Sequence, residues 1–273
     1  MSRQQWLLVI GCVVFGLSVY LFAPVKKKSS GAGTTPQTAS AVEGDSLRIE
    51  EYIAEINSKI TNDTLRNHIA DWTRAGNYKS LVAAYITLDK PLAVLYYSVR
   101  LAEEKKSADE FDKAAAYAAL LAQTAPDARA LRWLNNMRIY CAEKAYALQT
   151  TDKMRLQLAT AYIEASANPM QGVTILRDMV ARDSTNVDAQ LALARYGIMS
   201  GQYDKAIARL EKVLSLAPRN QDALLLLAQA YESAGEPRRA LETLKIFRST
   251  VSDPALQRQV DDYIRELTNK NNL

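Results

Sequence analysis

From Asp45 onward apolar residues recur at spacings of three and four, Gly and Pro fall only at interruptions, and no stretch alternates apolar with polar positions. The pattern predicts an all-α fold. Leu47, Ile49, Ile53, Ile56 and Ile60 share one face of a helix over residues 45–60. Leu65, Ile69 and Trp72 do so over residues 63–75, with Gly76 placed as the C′ residue. Asn77 can cap a helix running to Leu88, and Pro91 can open another in its first turn. Over residues 128–148, Leu131, Leu134, Met137, Cys141, Ala145 and Leu148 draw one stripe with no Gly or Pro to divide it, predicting a long helix of about 31 Å. The last predicted helix, residues 253–267, turns Leu256, Val260, Ile264 and Leu267 inward and Gln257, Arg258, Asp261, Asp262 and Arg265 outward. A polar outer face of that kind suits the open end of a stacked array.

The C-terminal third repeats itself. Leu193-Ala194 recurs as Leu227-Ala228, Gly201 as Gly235, Ala206 as Ala240 and Leu210 as Leu244, each 34 residues on. In each unit a first helix presents a Leu-Ala pair, a Gly-containing turn reverses the chain, and a second helix packs through a small alanine. Leu193, Ala194, Gly201, Tyr203, Ala206, Leu210 and Pro218 make this unit resemble the tetratricopeptide repeat family. The following unit keeps Leu227, Ala228, Tyr231, Gly235, Ala240, Leu244 and Phe247, with Pro237 where the family often has an aromatic residue. An earlier, degenerate copy has Leu158, Ala159, Tyr162, Leu176 and Met179, with Gly172 in place of the packing alanine and a turn one residue longer at Asn168-Pro169. Leu101-Ala102, Phe111, Ala114, Leu121 and Pro126 fit the same spacing further back, and Leu81 and Tyr85 hint at a weaker unit.

The resemblance implies a right-handed superhelical α-solenoid: a helical region with degenerate units over residues 44–150, repeats over 151–252, and a capping helix and tail over 253–273. It also implies a concave groove lined by first helices, where a peptide of a partner could bind. The inward positions of the matched units are Leu156, Thr160 and Ile163; Asp188, Leu191, Arg195 and Ile198; and Asp222, Leu225, Gln229 and Glu232. Family members that clamp a C-terminal carboxylate use Lys and Asn there, whereas Leu156, Leu191 and Leu225 hold one repeated place here, favouring an apolar peptide or helix. Some of these leucines can equally pack helix on helix, and that alternative stays open.

Ahead of the helices lies a different kind of sequence. Residues 6–23 are uncharged and end in Pro24, Val25 and Lys26-Lys27-Lys28. As a helix this stretch is about 27 Å long, near the ~30 Å of a bilayer's hydrocarbon, so it is expected to be a single transmembrane anchor. Trp6 and Tyr20 lie near its ends, where aromatic rings favour the interface. A lipoprotein cleavage before Cys12 would leave only residues 6–11 as apolar core, too few for a signal peptide. Residues 24–43 read as a linker, small and polar from Ser29 to Val42. Three lysines after the span against Arg3 before it favour a cytoplasmic C-terminal side, while short N-terminal anchors also commonly leave their payload outside. The expected location is a bacterial inner membrane, with the side open.

Charge and chemistry narrow the function. The chain carries 34 Lys+Arg and 30 Asp+Glu; the four surplus cations are Arg3 and Lys26 to Lys28, so the remainder from Ser29 is balanced. No basic face for nucleic acid is implied. His68 is the single histidine, no Cys-x-x-Cys is present, and no phosphate-binding or nucleophile-elbow motif occurs. No catalytic residue, metal or cofactor is expected. Cys141 lies on the apolar stripe of its helix and His68 within another, a poor basis for a nucleophile pair. The sequence thus points to a membrane-anchored adaptor for a protein partner, with a self-associating module and a regulatory subunit of a membrane enzyme as alternatives.

Overall fold

The computed structural model describes residues 46–273. Among them the chain forms thirteen α-helices and no strand: α1 Ile49–Ser58, α2 Asp63–Ala75, α3 Tyr78–Thr87, α4 Pro91–Lys105, α5 Ala108–Ala122, α6 Ala128–Leu148, α7 Asp152–Ala165, α8 Met170–Arg182, α9 Val187–Met199, α10 Tyr203–Leu216, α11 Gln221–Ser233, α12 Pro237–Thr250 and α13 Pro254–Asn271. From α2 onward each helix packs chiefly on its neighbours in sequence, α1 packs on α4, and α9 also touches α7 and α11. This is an α-solenoid, in which every unit is stabilised by the units beside it. Its core runs on from one cluster to the next, through fully buried Leu81, Leu95 and Leu134, then Leu176, then Leu210.

The two helices of each repeat begin in different ways, for a local reason. First helices start on a side-chain cap: Thr151 accepts from Met154 N, Asn186 from Ala189 N and Asn220 from Ala223 N. Second helices α8, α10 and α12 have no such bond. The chain enters α10 and α12 directly from the turn that ends the first helix. At Gly201 and Gly235 φ is +73° and +80°. There the N–H after the glycine donates to the residue five back, Gln202 to Gly197 and Glu236 to Tyr231, which is the Schellman closure. The same closure at Gly76 ends α2, while Asp89 and Lys106 perform it without glycine, at φ +53° and +49°.

First and second helices approach most closely at small residues. A Cβ on Gly172 of α8 would collide with the Ala159 carbonyl oxygen of α7 and stand 2.8 Å from Ile163 Cγ1. In the next pair both partners are small: a Cβ on Gly197 of α9 would sit 3.2 Å from that of Ala206 on α10. Ala206 and Ala240, the packing alanines of their units, are buried.

Helices begin and end within a residue of where the sequence places them, except for α13 and for α1, whose end falls at Ser58 rather than Ile60. α1 starts at Ile49 rather than Asp45, since Leu47 N is held by Arg129 O of α6 and leaves the helical path. α13 continues past Leu267 to Asn271, where Asn272 at φ +53° closes it. The stripe on α6 also differs at its ends: Leu131 and Leu148 are exposed, whereas Ala130, Trp133 and Ala142 are buried beside Leu134, Cys141 and Ala145. The helix is amphipathic, but its buried face is displaced toward the alanines that let α5 and α7 come close. The predicted span at residues 6–23 and the linker over 24–43 lie outside the described residues. Among those described, no helix is long and apolar enough to cross a membrane.

Two glycine substitutions separate backbone conformation from close packing. Gly201→Ala meets no atom within 4 Å, so it is expected to cost about 1 kcal/mol through its positive φ alone. Gly172→Ala would stabilise an open helix by about 1 kcal/mol, yet here it is expected to destabilise by about 1 to 3 kcal/mol because α7 is in the way. Urea denaturation of both variants measures the difference, and a stabilised Gly172→Ala would contradict the packing.

Candidate functional site

Three first helices, α7, α9 and α11, lie side by side, and helical periodicity decides what they present. On α7 Leu156, Thr160 and Ile163 are spaced four and three apart, and on α9 Asp188, Leu191 and Arg195 three and four apart, so each set forms one face. The faces enclose a hollow of about 270 Å³, completed by Ala192, Tyr196 and Met199 of α9, Asp222 of α11, Glu164 of α7 and Arg138 of α6. Half-buried Leu156 and Leu191 with buried Ile163 make an apolar floor. Charges stand around it. Arg138 Nη2 lies 2.7 Å from Glu164 Oε2 with only 15% of the arginine side chain exposed, and this pair neutralises itself. Asp188, Asp222 and Arg195 are exposed and have no hydrogen-bond or ion-pair partner among the described residues.

The hollow gathers seven of the eleven positions expected of a groove: Leu156, Thr160, Ile163, Asp188, Leu191, Arg195 and Asp222. The other four lie elsewhere. Ile198, 9% exposed, belongs to the core with Ala206 and Leu210. Leu225 packs on the cluster of Leu224, Phe247, Val251 and Val260. Glu232 accepts a hydrogen bond from Tyr263 Oη at 2.6 Å and lies 3.6 Å from Lys270 Nζ, both on α13. Half-buried Gln229 does not line the hollow. For Leu225 and Glu232 the cause is α13, which packs Val260 into the cluster beside Leu225, reaches Glu232 of α11 and takes up the end of the row. Conversely, Arg138 and Glu164 were not among the expected positions. The hydrophobic stripe of α6 gives the face that packs, and says nothing of which polar edge meets α7.

The frame around the hollow is tied by one recurring bond, a tyrosine hydroxyl donating to a glutamate of an earlier helix. Tyr140 donates to Glu103 at 2.6 Å, Tyr162 to Glu143 at 2.6 Å, Tyr231 to Glu211 at 2.8 Å and Tyr263 to Glu232 at 2.6 Å. The hydrogen bond to Glu103 pushes the Tyr140 phenol up to about 12, and burial foremost pushes Tyr162 and Tyr231 up to about 12. All three remain protonated donors at neutral pH. Arg239 lies 4.1 Å from the centroid of the Tyr231 ring and donates to Glu211 as well, adding a cation–π contact.

The Thr160 hydroxyl donates to Gln157 O, and among the described residues no three His, Cys, Asp or Glu side chains are grouped to hold a metal. Burial pushes the Cys141 thiol up to about 12, so it is not a thiolate nucleophile, and the His68 ring rests on Trp72 at 5.4 Å.

Residues 197–258, from the end of α9 into α13, match the family described as Tetratricopeptide repeat. The tetratricopeptide repeat match thus covers under a quarter of the chain. The match spans the Gly201 and Gly235 turns and the Ala206 and Ala240 contacts that define its units here. Among curated proteins no match is found. The solved structure of MamA protein aligns over 64% of this chain and 90% of its own, at 19% identity and a TM-score of 0.45. That of YrrB, described as a TPR protein with an unusual peptide-binding site, aligns over 73% and 98%, at 15% identity and a TM-score of 0.42. Likeness of this degree carries no argument about what this chain binds.

The tie between Tyr263 and Glu232 sets how firmly the array is closed. Tyr263→Phe is expected to cost about 1 kcal/mol and to speed amide exchange in α13 ahead of α7 and α8. Exchange that rises uniformly along the array would show that the bond has no local role.

Proposed function

We propose that this protein is a non-enzymatic adaptor that holds a segment of a partner protein in the hollow between α7, α9 and α11 while its N-terminal residues 6–23 anchor it in a bacterial inner membrane. One observation carries the reading: an apolar floor of Leu156, Ile163 and Leu191 open to solvent and ringed by Asp188, Asp222 and Arg195, which have no partner among the described residues. The tetratricopeptide repeat match at residues 197–258 supports a protein or peptide as the occupant, and the balanced charge from Ser29 onward gives no support to a nucleic-acid surface. The anchor rests on the uncharged run and the lysine triplet after it. The same triplet against Arg3 favours the cytoplasmic face for the repeats.

Two experiments test the two halves of this proposal. A photo-crosslinking amino acid in place of exposed Arg195 is expected to form a protein adduct in cells, and one in place of exposed Arg258 on α13 to form none. Leu191→Asp should remove that adduct without loss of helical circular dichroism. Adducts from position 258 alone would move the binding surface away from the hollow. Separately, the full chain is expected to stay with membranes through an alkaline carbonate wash. Its release would remove the anchor.

A further inference from the structure

We infer that the hollow selects a bipolar segment of its partner: a basic side chain at the Asp188–Asp222 end, an apolar anchor over Leu156 and Leu191, and an acidic side chain at Arg195, all on one face. The inference rests on the hollow being the binding surface and adds the chemistry of its occupant.

Asp188 and Asp222 stand 34 residues apart at the same place on adjacent first helices, both exposed and both without a cation among the described residues. Neighbouring helix axes lie about 8 to 10 Å apart, so the two carboxylates create one negative edge that a single basic side chain can serve. Placement in a first helical turn accounts for the sign of these residues through the helix dipole, but not for the opposite charge left open at Arg195. That residue lies seven positions along α9, two turns or about 10 Å away, too far to neutralise Asp188 directly. The pair Arg138 and Glu164 on the same rim, at 2.7 Å, shows how the rim neutralises charge where a partner is within reach. Between the unpaired ends the surface is apolar.

The size of the hollow argues for a side-chain socket. At about 270 Å³ it is at the small end of the roughly 300 to 1,000 Å³ of ligand sites, and it is open to solvent rather than enclosing. Asp188, Leu191 and Arg195 present their three chemistries at the spacing of one helical face, and an amphipathic helix laid along α9 can present the complement in the same rhythm.

The test uses the full-length chain in a mild detergent, panned against phage displaying random dodecapeptides. Wild-type protein is expected to enrich peptides with a basic, an apolar and an acidic residue in that order along one face. D188K/D222K should weaken the best such peptide roughly tenfold by fluorescence anisotropy and, on renewed panning, exchange the basic position for an acidic one. R195E should exchange the acidic position for a basic one, and added salt should weaken the wild-type complex. Peptides lost on Leu191→Asp but bound equally by both charge variants would overturn the bipolar chemistry and leave the hollow as the site. Peptides bound equally by Leu191→Asp would overturn the hollow itself. A library from which nothing is enriched would overturn both.

Discussion

The structure depends on how closely the two helices of a repeat can approach. At the crossing of α7 and α8 the carbonyl of Ala159 occupies the place where a Cβ on Gly172 would be, and at α9 and α10 Gly197 faces Ala206. A small residue on one side of each crossing lets the flanking Leu176 and Leu210 be buried completely. The second helix supplies it in each pair, as Gly172, Ala206 and Ala240, and at α9 the first helix adds Gly197. With that contact in place, first helices align and their exposed faces become a common surface.

Polar bonds then make the stacking specific. Hydrophobic burial alone would let one helix slide along another, whereas a phenol reaching a carboxylate on an earlier helix has one geometry. Tyr140, Tyr162, Tyr231 and Tyr263 repeat this bond from α6 to α13. Gly197 replaces the tyrosine in the unit of α9, where the close approach to Ala206 leaves no room for a ring. The hollow is centred on that unit. Its walls are therefore held by tyrosines before and after it, while its own first helix is fastened by close packing.

The final helix has two effects. It covers the end of the array, burying Val260 and Leu267, and through Tyr263 and Lys270 it engages Glu232. The row of first-helix positions thus ends in protein, so the open surface is confined to α6, α7, α9 and the start of α11. This confinement turns a long groove into a hollow of side-chain size. It also leaves at its two ends the rim charges that have no partner among the described residues, Asp188 and Asp222 opposite Arg195.

What the sequence determined by itself is what short-range physics controls. Asn77, Thr151, Asn186 and Asn220 start helices through bonds to a backbone N–H three residues on. Gly76, Gly201 and Gly235 end them through a conformation that an L side chain rarely adopts, and a 34-residue period declared the repeat. Helix faces were legible for the same reason, and so were the seven positions of the hollow on α7, α9 and the start of α11. The tertiary structure alone decided the rest. Ile198 and Glu232 hold the same register as Ile163, yet Ile163 lines the hollow, Ile198 packs in the core and Glu232 meets α13. Register says which way a side chain points. Whether solvent, core or a capping helix stands there depends on packing between segments distant in the chain, which no local pattern encodes.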